Sequence, residues 1–410
     1  MKEKQDKINR RNFLKTMGVA GLGSVFASGK AKADANEPNA VKPQEPLPPM
    51  PKRRLGKTGV EVPILSLGTM FDVVENQVIL RKALQWGINY WDTAHNYGGG
   101  NSELGVGKFL SNNPDARKDL FIATKASGAE TVADVEDRLQ TSLKKMNTDY
   151  IDLYYGVHGM DDPSRLTDEL KQWAEDAKKR KLIRFFGFTT HKNMAQCLAA
   201  AAKLDWIDAI MTTYNFQLMR VSKMQDALDA CHKADIGLVA MKTQANGQGL
   251  RAEADKKMAE HFLQQGYTDG QAKLKLILDD KRISCACIGR DNLTHLTLNV
   301  AAALDKTQLT KADAEVFEKY AAATCSGYCA GCASICDAAL PETPYVSEVM
   351  RYLMYYNSYG VKEEARELFA QIPGDVRSRL LRTDYSSAEA RCPQHLPIAK
   401  LMAEAVGKLA

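Results

Sequence analysis

Eight short apolar runs, each followed by an amphipathic stretch, fill the middle of this 410-residue chain and leave few folds open to it. The runs are Ile64–Leu67, Ile88–Trp91, Leu120–Thr124, Ile151–Tyr155, Ile183–Phe188, Ile207–Met211, Ile236–Met241 and Ser284–Ile288. Between them, Val132–Met146, Arg165–Lys181, Met194–Leu204 and Met224–Lys233 carry apolar residues at helical spacing. Strand-then-helix units repeated eight times predict an α/β fold of the (β/α)8 type, a TIM barrel, over residues 52–305. A doubly wound open sheet is the rival. It usually carries a Gly-rich G-x-G-x-x-G turn after its first strand, and Leu67-Gly68-Thr69-Met70 has no such pattern.

In such barrels chemistry sits where the strands end. Polar residues stand at those ends here: Asp92 after Tyr90-Trp91, Lys125 after Thr124, and His158 beyond the Ile151 run, with Tyr97 on the loop after Asp92 beside Gly98-Gly99-Gly100. Each alone is an ordinary loop or strand-end residue. Together they form a proton-donor set. A phenol ionises near pH ~10, and an adjacent ammonium is expected to lower that value. A carboxylate beside the lysine keeps it charged and placed, and an imidazole can polarise a carbonyl.

Trp91-Asp92-Thr93-Ala94-His95-Asn96-Tyr97-Gly98, followed by Ser102-Glu103-Leu104-Gly105, resembles the signature of the aldo-keto reductases. The resemblance covers about residues 52–304. It implies a catalytic tetrad of Asp92, Tyr97, Lys125 and His158, a carbonyl or alcohol substrate, and NADP or NAD as cofactor. Gly68, Thr69, Thr189, Thr190, Met241, Arg290, Asn292 and Asn299 occupy the positions expected to hold the dinucleotide. The chain departs from the family pattern at several of these. Thr189-Thr190 and Met211 stand where Ser-Asn and Gln are common, Met241 replaces an aromatic, and Gly289 and His295 replace basic residues. The choice between NADP and NAD stays open.

Five of the nine cysteines lie beyond Thr324, at Cys325, Cys329, Cys332, Cys336 and Cys392, the last within Cys392-Pro393-Gln394-His395-Leu396-Pro397-Ile398. Closely spaced thiolates suit an iron–sulfur cubane. This segment resembles a ferredoxin-like extension carried by one branch of the same family, and predicts a mainly α-helical domain over residues 320–410. The resemblance implies one 4Fe-4S cluster on Cys325, Cys329, Cys332 and Cys392, with Cys336 as the alternative ligand. Structural zinc and disulfides are the competing uses of these thiols. Cys197, Cys231, Cys285 and Cys287 read as inert thiols of the barrel. Val346, Val349, Met350, Leu353 and Met354 form a helical stripe, expected to pack the tail over the barrel.

The formal charge of +5 has one source: residues 1–33 hold eight basic side chains against two acidic ones, and the rest is within one charge of neutral. That leaves no case for a nucleic-acid partner. Apolar residues at 45% and charged residues at 26% exclude a disordered or membrane-embedded chain. Asn9-Arg10-Arg11-Asn12-Phe13-Leu14-Lys15, a short apolar stretch and Ala31-Lys32-Ala33 resemble a twin-arginine (Tat) signal peptide cut after Ala33. It implies the Tat translocon as partner, a periplasmic or otherwise extracytoplasmic location and no stable membrane span. Six prolines between residues 35 and 51 predict an extended linker over 34–51. Two functions follow. One is an exported oxidoreductase with a cluster that exchanges electrons with a redox partner; the other is a non-catalytic iron–sulfur electron-transfer or assembly protein on a vestigial barrel.

Overall fold

Each of the eight apolar runs is a strand, and most continue one or more residues past their apolar stretch into the polar residues that follow. The computed structural model describes residues 47–244, 252–289, 292–343, 345–359 and 361–410. The leader, nearly all of the linker and Arg290 lie outside the described residues. A short hairpin, β1 (Lys52–Arg54) and β2 (Glu61–Pro63), precedes the barrel strands. These are β3 (Leu65–Gly68), β4 (Tyr90–Asp92), β5 (Phe121–Lys125), β6 (Ile151–Met160), β7 (Ile183–Thr190), β8 (Ala209–Thr213), β9 (Gly237–Met241) and β10 (Cys285–Gly289). All eight pair in parallel and in chain order, and β10 closes on β3. Backbone pairing does not depend on side-chain polarity, which is why the strands outrun the apolar runs.

Alternation along each strand builds two cores. Tyr90, Phe121, Ala123, Leu153, Tyr155, Ala209, Met211, Val239 and Cys285 fill the barrel, with Leu55 and Val62 of the hairpin region completing the same cluster. Their strand neighbours Trp91, Ile122, Tyr154, Phe186, Ile210 and Leu238 join the outer layer, where the helices pack. Helix Val132–Met146 shows the local logic. A Thr131–Asp134 capping box starts it, Asn147 in the left-handed region (φ 48°) ends it, and Val135, Leu139, Leu143 and Met146 form its buried stripe.

The strand β6 departs from regular alternation. Its register against β7 shifts between Tyr155 and Val157 and again between His158 and Met160. The bulge needs Gly156, since a Cβ there would lie 2.4 Å from the Phe186 ring. Tyr155 belongs to the interior and Val157 to the outer layer. The extra residue thus rephases the strand and brings His158 to the mouth.

Helix Lys311–Thr324 packs Phe317 and Tyr320 on Phe216, with centroids 6.1 and 5.0 Å away. The chain beyond it forms a second apolar cluster. It includes Val346, Val349, Met350, Leu353 and Met354 on helix Val346–Met354, with Phe369, Leu380, Ile398 and Met402. This helical tail seats on the mouth through polar contacts. Asn193 N donates to Gly331 O at 2.8 Å, Asn215 Nδ2 to the Tyr328 hydroxyl at 2.8 Å, and Gln217 Nε2 to Thr324 Oγ1 at 2.7 Å. Lys192 pairs with Glu348 across the seam. Among the described residues, no helix is long and apolar enough to cross a membrane.

Candidate active site

Asp92 and Lys125 are the last residues of β4 and β5, each two positions beyond an interior side chain, Tyr90 and Ala123. Alternation therefore turns both inward at the mouth. Lys125 Nζ donates to Asp92 Oδ2 at 2.6 Å and to Thr93 O at 2.6 Å. Only 1% and 3% of the two side chains are exposed, so each charge depends on the other. Burial raises the Asp92 carboxyl and Lys125 opposes the rise. Asp92 Oδ1 is buried without a hydrogen-bond partner.

Tyr97 comes over this pair because Gly98, Gly99 and Gly100 turn the loop through positive φ (56°, 64° and 95°), a path few other residues take. Lys125 Nζ lies 4.7 Å from the centroid of its ring, and the His158 ring meets it edge to face at 5.9 Å. Ser127 Oγ hydrogen-bonds His158 Nδ1 at 2.8 Å. The Tyr97 hydroxyl engages no described residue. Burial, then Lys125, Arg351 and Lys242, depress the imidazole to about 3, so His158 is neutral at neutral pH. The expected lowering of the phenol is overturned: burial and then Asp92 hold Tyr97 well above the usual tyrosine value. A neutral phenol is the form that donates a proton.

The motif around these groups is a scaffold. Ser102 Oγ donates to Thr69 O at 2.7 Å and meets Thr93 Oγ1 at 2.7 Å, tying the ends of β3 and β4 together. Thr124 Oγ1 donates to the buried Glu103 at 2.6 Å.

The dinucleotide candidates divide by what already occupies them. Thr189 Oγ1 accepts from Gly159 N at 3.0 Å and keeps its own proton to donate, while Met241 stays half-buried at the end of β9. Thr190 Oγ1 bonds Met160 O and Lys192 O at 2.7 and 2.8 Å, and Thr69 Oγ1 bonds Asp92 O at 2.9 Å. Those two hydroxyls hold the fold. Asn292 caps helix Leu293–Leu304 through Thr294 N at 2.8 Å, and Asn299 accepts from Gln244 at 3.5 Å. Gly68 lets β3 and β10 close up, since a Cβ there would lie 3.0 Å from Cys287 Sγ.

All nine cysteines are thiols without disulfides. Cys329 senses Cys332, Cys336 and Cys392, and burial pushes Cys332 and Cys336 up to about 11 and 12. The turn Ala333–Cys336 packs against Ser386–Arg391, the helix that ends at Cys392, and Cys332 senses Cys392. Cys325 Sγ donates to Ala322 O at 3.3 Å. Among the described residues no three His, Cys, Asp or Glu side chains are arranged to hold a single metal ion.

Four further residues reach the mouth. His191 and Lys242 follow β7 and β9 directly, a strand-end signal present in the sequence; Tyr355 arrives from the tail, where it stands among tyrosines around the helical stripe, and Arg351 arrives from the tail with no signal.

A closed parallel barrel thus gathers a phenol, an ammonium, a carboxylate and an imidazole at one end of its strands. The sequence matches the Aldo/keto reductase family over residues 65–321, and the chain belongs to that family. Members of that family are oxidoreductases that typically use NAD(P)H and small carbonyl substrates. The uncharacterized oxidoreductase YqkF of Bacillus subtilis is 34% identical over 155 residues, 34% of this chain and 49% of that protein, so the chain spans about half the length of this relative. The L-glyceraldehyde 3-phosphate reductase of Escherichia coli is 26% identical over 65% of this chain and 91% of its own length. The holo form of aldo-keto reductase AKR11C1 from Bacillus halodurans shares the fold with a TM-score of 0.56, at 24% identity, over 66% of this chain and 96% of its own.

Proposed function

We propose that this protein reduces a carbonyl, or oxidises the corresponding alcohol, at the mouth where Asp92, Tyr97, Lys125 and His158 meet. One observation carries the reading: a neutral phenol with its hydroxyl uncommitted lies over a buried lysine–carboxylate pair and against a neutral imidazole. NAD(P)H, when bound, supplies the hydride. The orphaned Asp92 Oδ1, the Thr189 proton and the half-buried Met241 suit its nicotinamide end. Tyr97 gives its proton to the carbonyl oxygen. Lys125 holds positive charge beside the phenolate left behind, and Asp92 holds Lys125 in place. His158, neutral and anchored by Ser127, orients the carbonyl. In the reverse direction the same phenolate takes the alcohol proton.

The finer reading adds a 4Fe-4S cluster in the tail, with ligands Cys329, Cys332, Cys336 and Cys392. The x2 and x3 spacing, the Cys392-Pro393 pair and the mutual influence of these thiols support it, and Cys325 gives way to Cys336. When bound, the cluster supplies one-electron chemistry. The leader supports Tat export of the folded protein to the periplasm, with a leader over 1–33, a linker over 34–51, a barrel over 52–305 and the cluster domain over 320–410.

Two measurements test this. With nicotinamide deuterated at C4, deuterium is expected in the alcohol product; an unlabelled alcohol refutes hydride transfer. In protein purified anaerobically, Cys336→Ser is expected to lose iron and Cys325→Ser to retain it. The opposite pattern returns the fourth ligand to Cys325.

A further inference from the structure

Where the tail seats on the mouth it encloses a cavity walled by His191, Thr213 and Lys242 from the barrel and by Cys329, Ser347 and Arg351 from the tail. Its charged lining is basic. Lys242 follows β9 with φ 56°, a left-handed backbone unusual for lysine. Its Nζ donates to the Tyr355 hydroxyl at 2.8 Å. Arg351 lies over the Tyr352 ring at 5.3 Å, and its Nε is buried without a hydrogen-bond partner. Glu348 pairs with Lys192 and also acts on Arg351; burial and then Arg351 hold the Lys242 ammonium well below the usual lysine value, opposed by Glu364 from helix Lys362–Ala370. Among the described residues, neither Lys242 nor Arg351 makes an ion pair.

Bringing an ammonium and a guanidinium from distant parts of the chain to one sheltered cavity is costly unless an anion joins them. Arginine presents a planar fork that fits carboxylate or phosphate, and lysine adds a compact charge. Around them, Thr213 and Ser347 add hydroxyls, and the His191 ring shares a 3.2 Å contact with Thr213 Oγ1. We infer that this cavity is a subsite for an oxyanion, a carboxylate or a phosphate, held by Arg351 and Lys242 beside the reaction mouth. The inference deepens the reductase reading and rests on it for the identity of the reacting group. The oxyanion has two sources, the carbonyl substrate itself or the pyrophosphate of the dinucleotide.

The test uses the full-length protein purified without nucleotide. Titration with inorganic phosphate is expected to show binding that weakens at least roughly tenfold in Arg351→Met and recovers in part in Arg351→Lys. In the activity arm, the ratio of kcat/KM for 4-carboxybenzaldehyde to that for benzaldehyde, with NADPH, is expected to fall roughly tenfold in Arg351→Met if the substrate carries the anion. A fall in NADPH affinity with an unchanged ratio assigns the anion to the dinucleotide. Absent phosphate binding, or phosphate binding equal in the parent and both variants, overturns the inference. If neither aldehyde is reduced by the parent protein, the reductase reading fails, and the phosphate titration still decides the cavity.

Discussion

Lys125 and Asp92 show how much one side chain can depend on its partner. Both are almost wholly buried and bond at 2.6 Å, so removing one leaves an uncompensated charge in the interior. Lys125→Met is expected to lower unfolding stability by about 3–5 kcal/mol, and the double change Lys125→Met, Asp92→Asn by less than that, in urea titrations. His158 gives the opposite sign from most histidines that gain an acidic partner. Its folded value, about 3, lies below the unfolded value near 6.5, so the unfolded chain binds the proton first. Its contribution is therefore complete above about pH 6.5 and is lost as the pH falls toward 3. Unfolding curves at pH 7, 6 and 5 are expected to show stability declining, with a shallower decline in His158→Gln; equal slopes would show that His158 titrates normally.

At the level of the element, β6 carries the feature on which the mouth depends. A Cβ at Gly156 would lie 2.4 Å from the Phe186 ring, which is itself fully buried. Gly156→Ala is expected to cost about 1–3 kcal/mol through overpacking, read as a lower urea midpoint at an unchanged m-value. This bulge was not legible in the amino-acid sequence, where Ile151–Tyr155 reads as an ordinary strand, because register shifts are set by the neighbouring strand. The eight-fold order was legible, since every strand carries an apolar run. So was the gathering of Asp92, Tyr97, Lys125 and His158, since each stands at or just beyond a strand end and the barrel sends all strand ends to one face. The thiol grouping was legible only as a set of five. Packing of Ala333–Cys336 against Ser386–Arg391, a contact between residues some fifty positions apart, left no signal in the spacing of the cysteines.

For the molecule as a whole, the tail is part of the site as well as an appendage to the barrel. Arg351 and Tyr355 enter the mouth from a segment whose sequence shows an apolar stripe ringed by tyrosines, and Lys192, Asn193, Asn215 and Gln217 hold the tail in place. Glu348→Gln removes the seam ion pair while Lys192 keeps Asp161 at 2.9 Å. Amide exchange over residues 346–354 is expected to quicken in that variant, with the barrel strands unaffected; unchanged exchange would show that the apolar seam alone holds the tail. Proton donation at the barrel mouth is the claim from which the rest descends. The most direct measurement of it is carbonyl reduction by Tyr97→Phe, with nucleotide affinity and iron content followed in the same preparation. The account predicts turnover reduced by about 10²–10⁴-fold with both of those preserved, and turnover equal to that of the parent protein would contradict it.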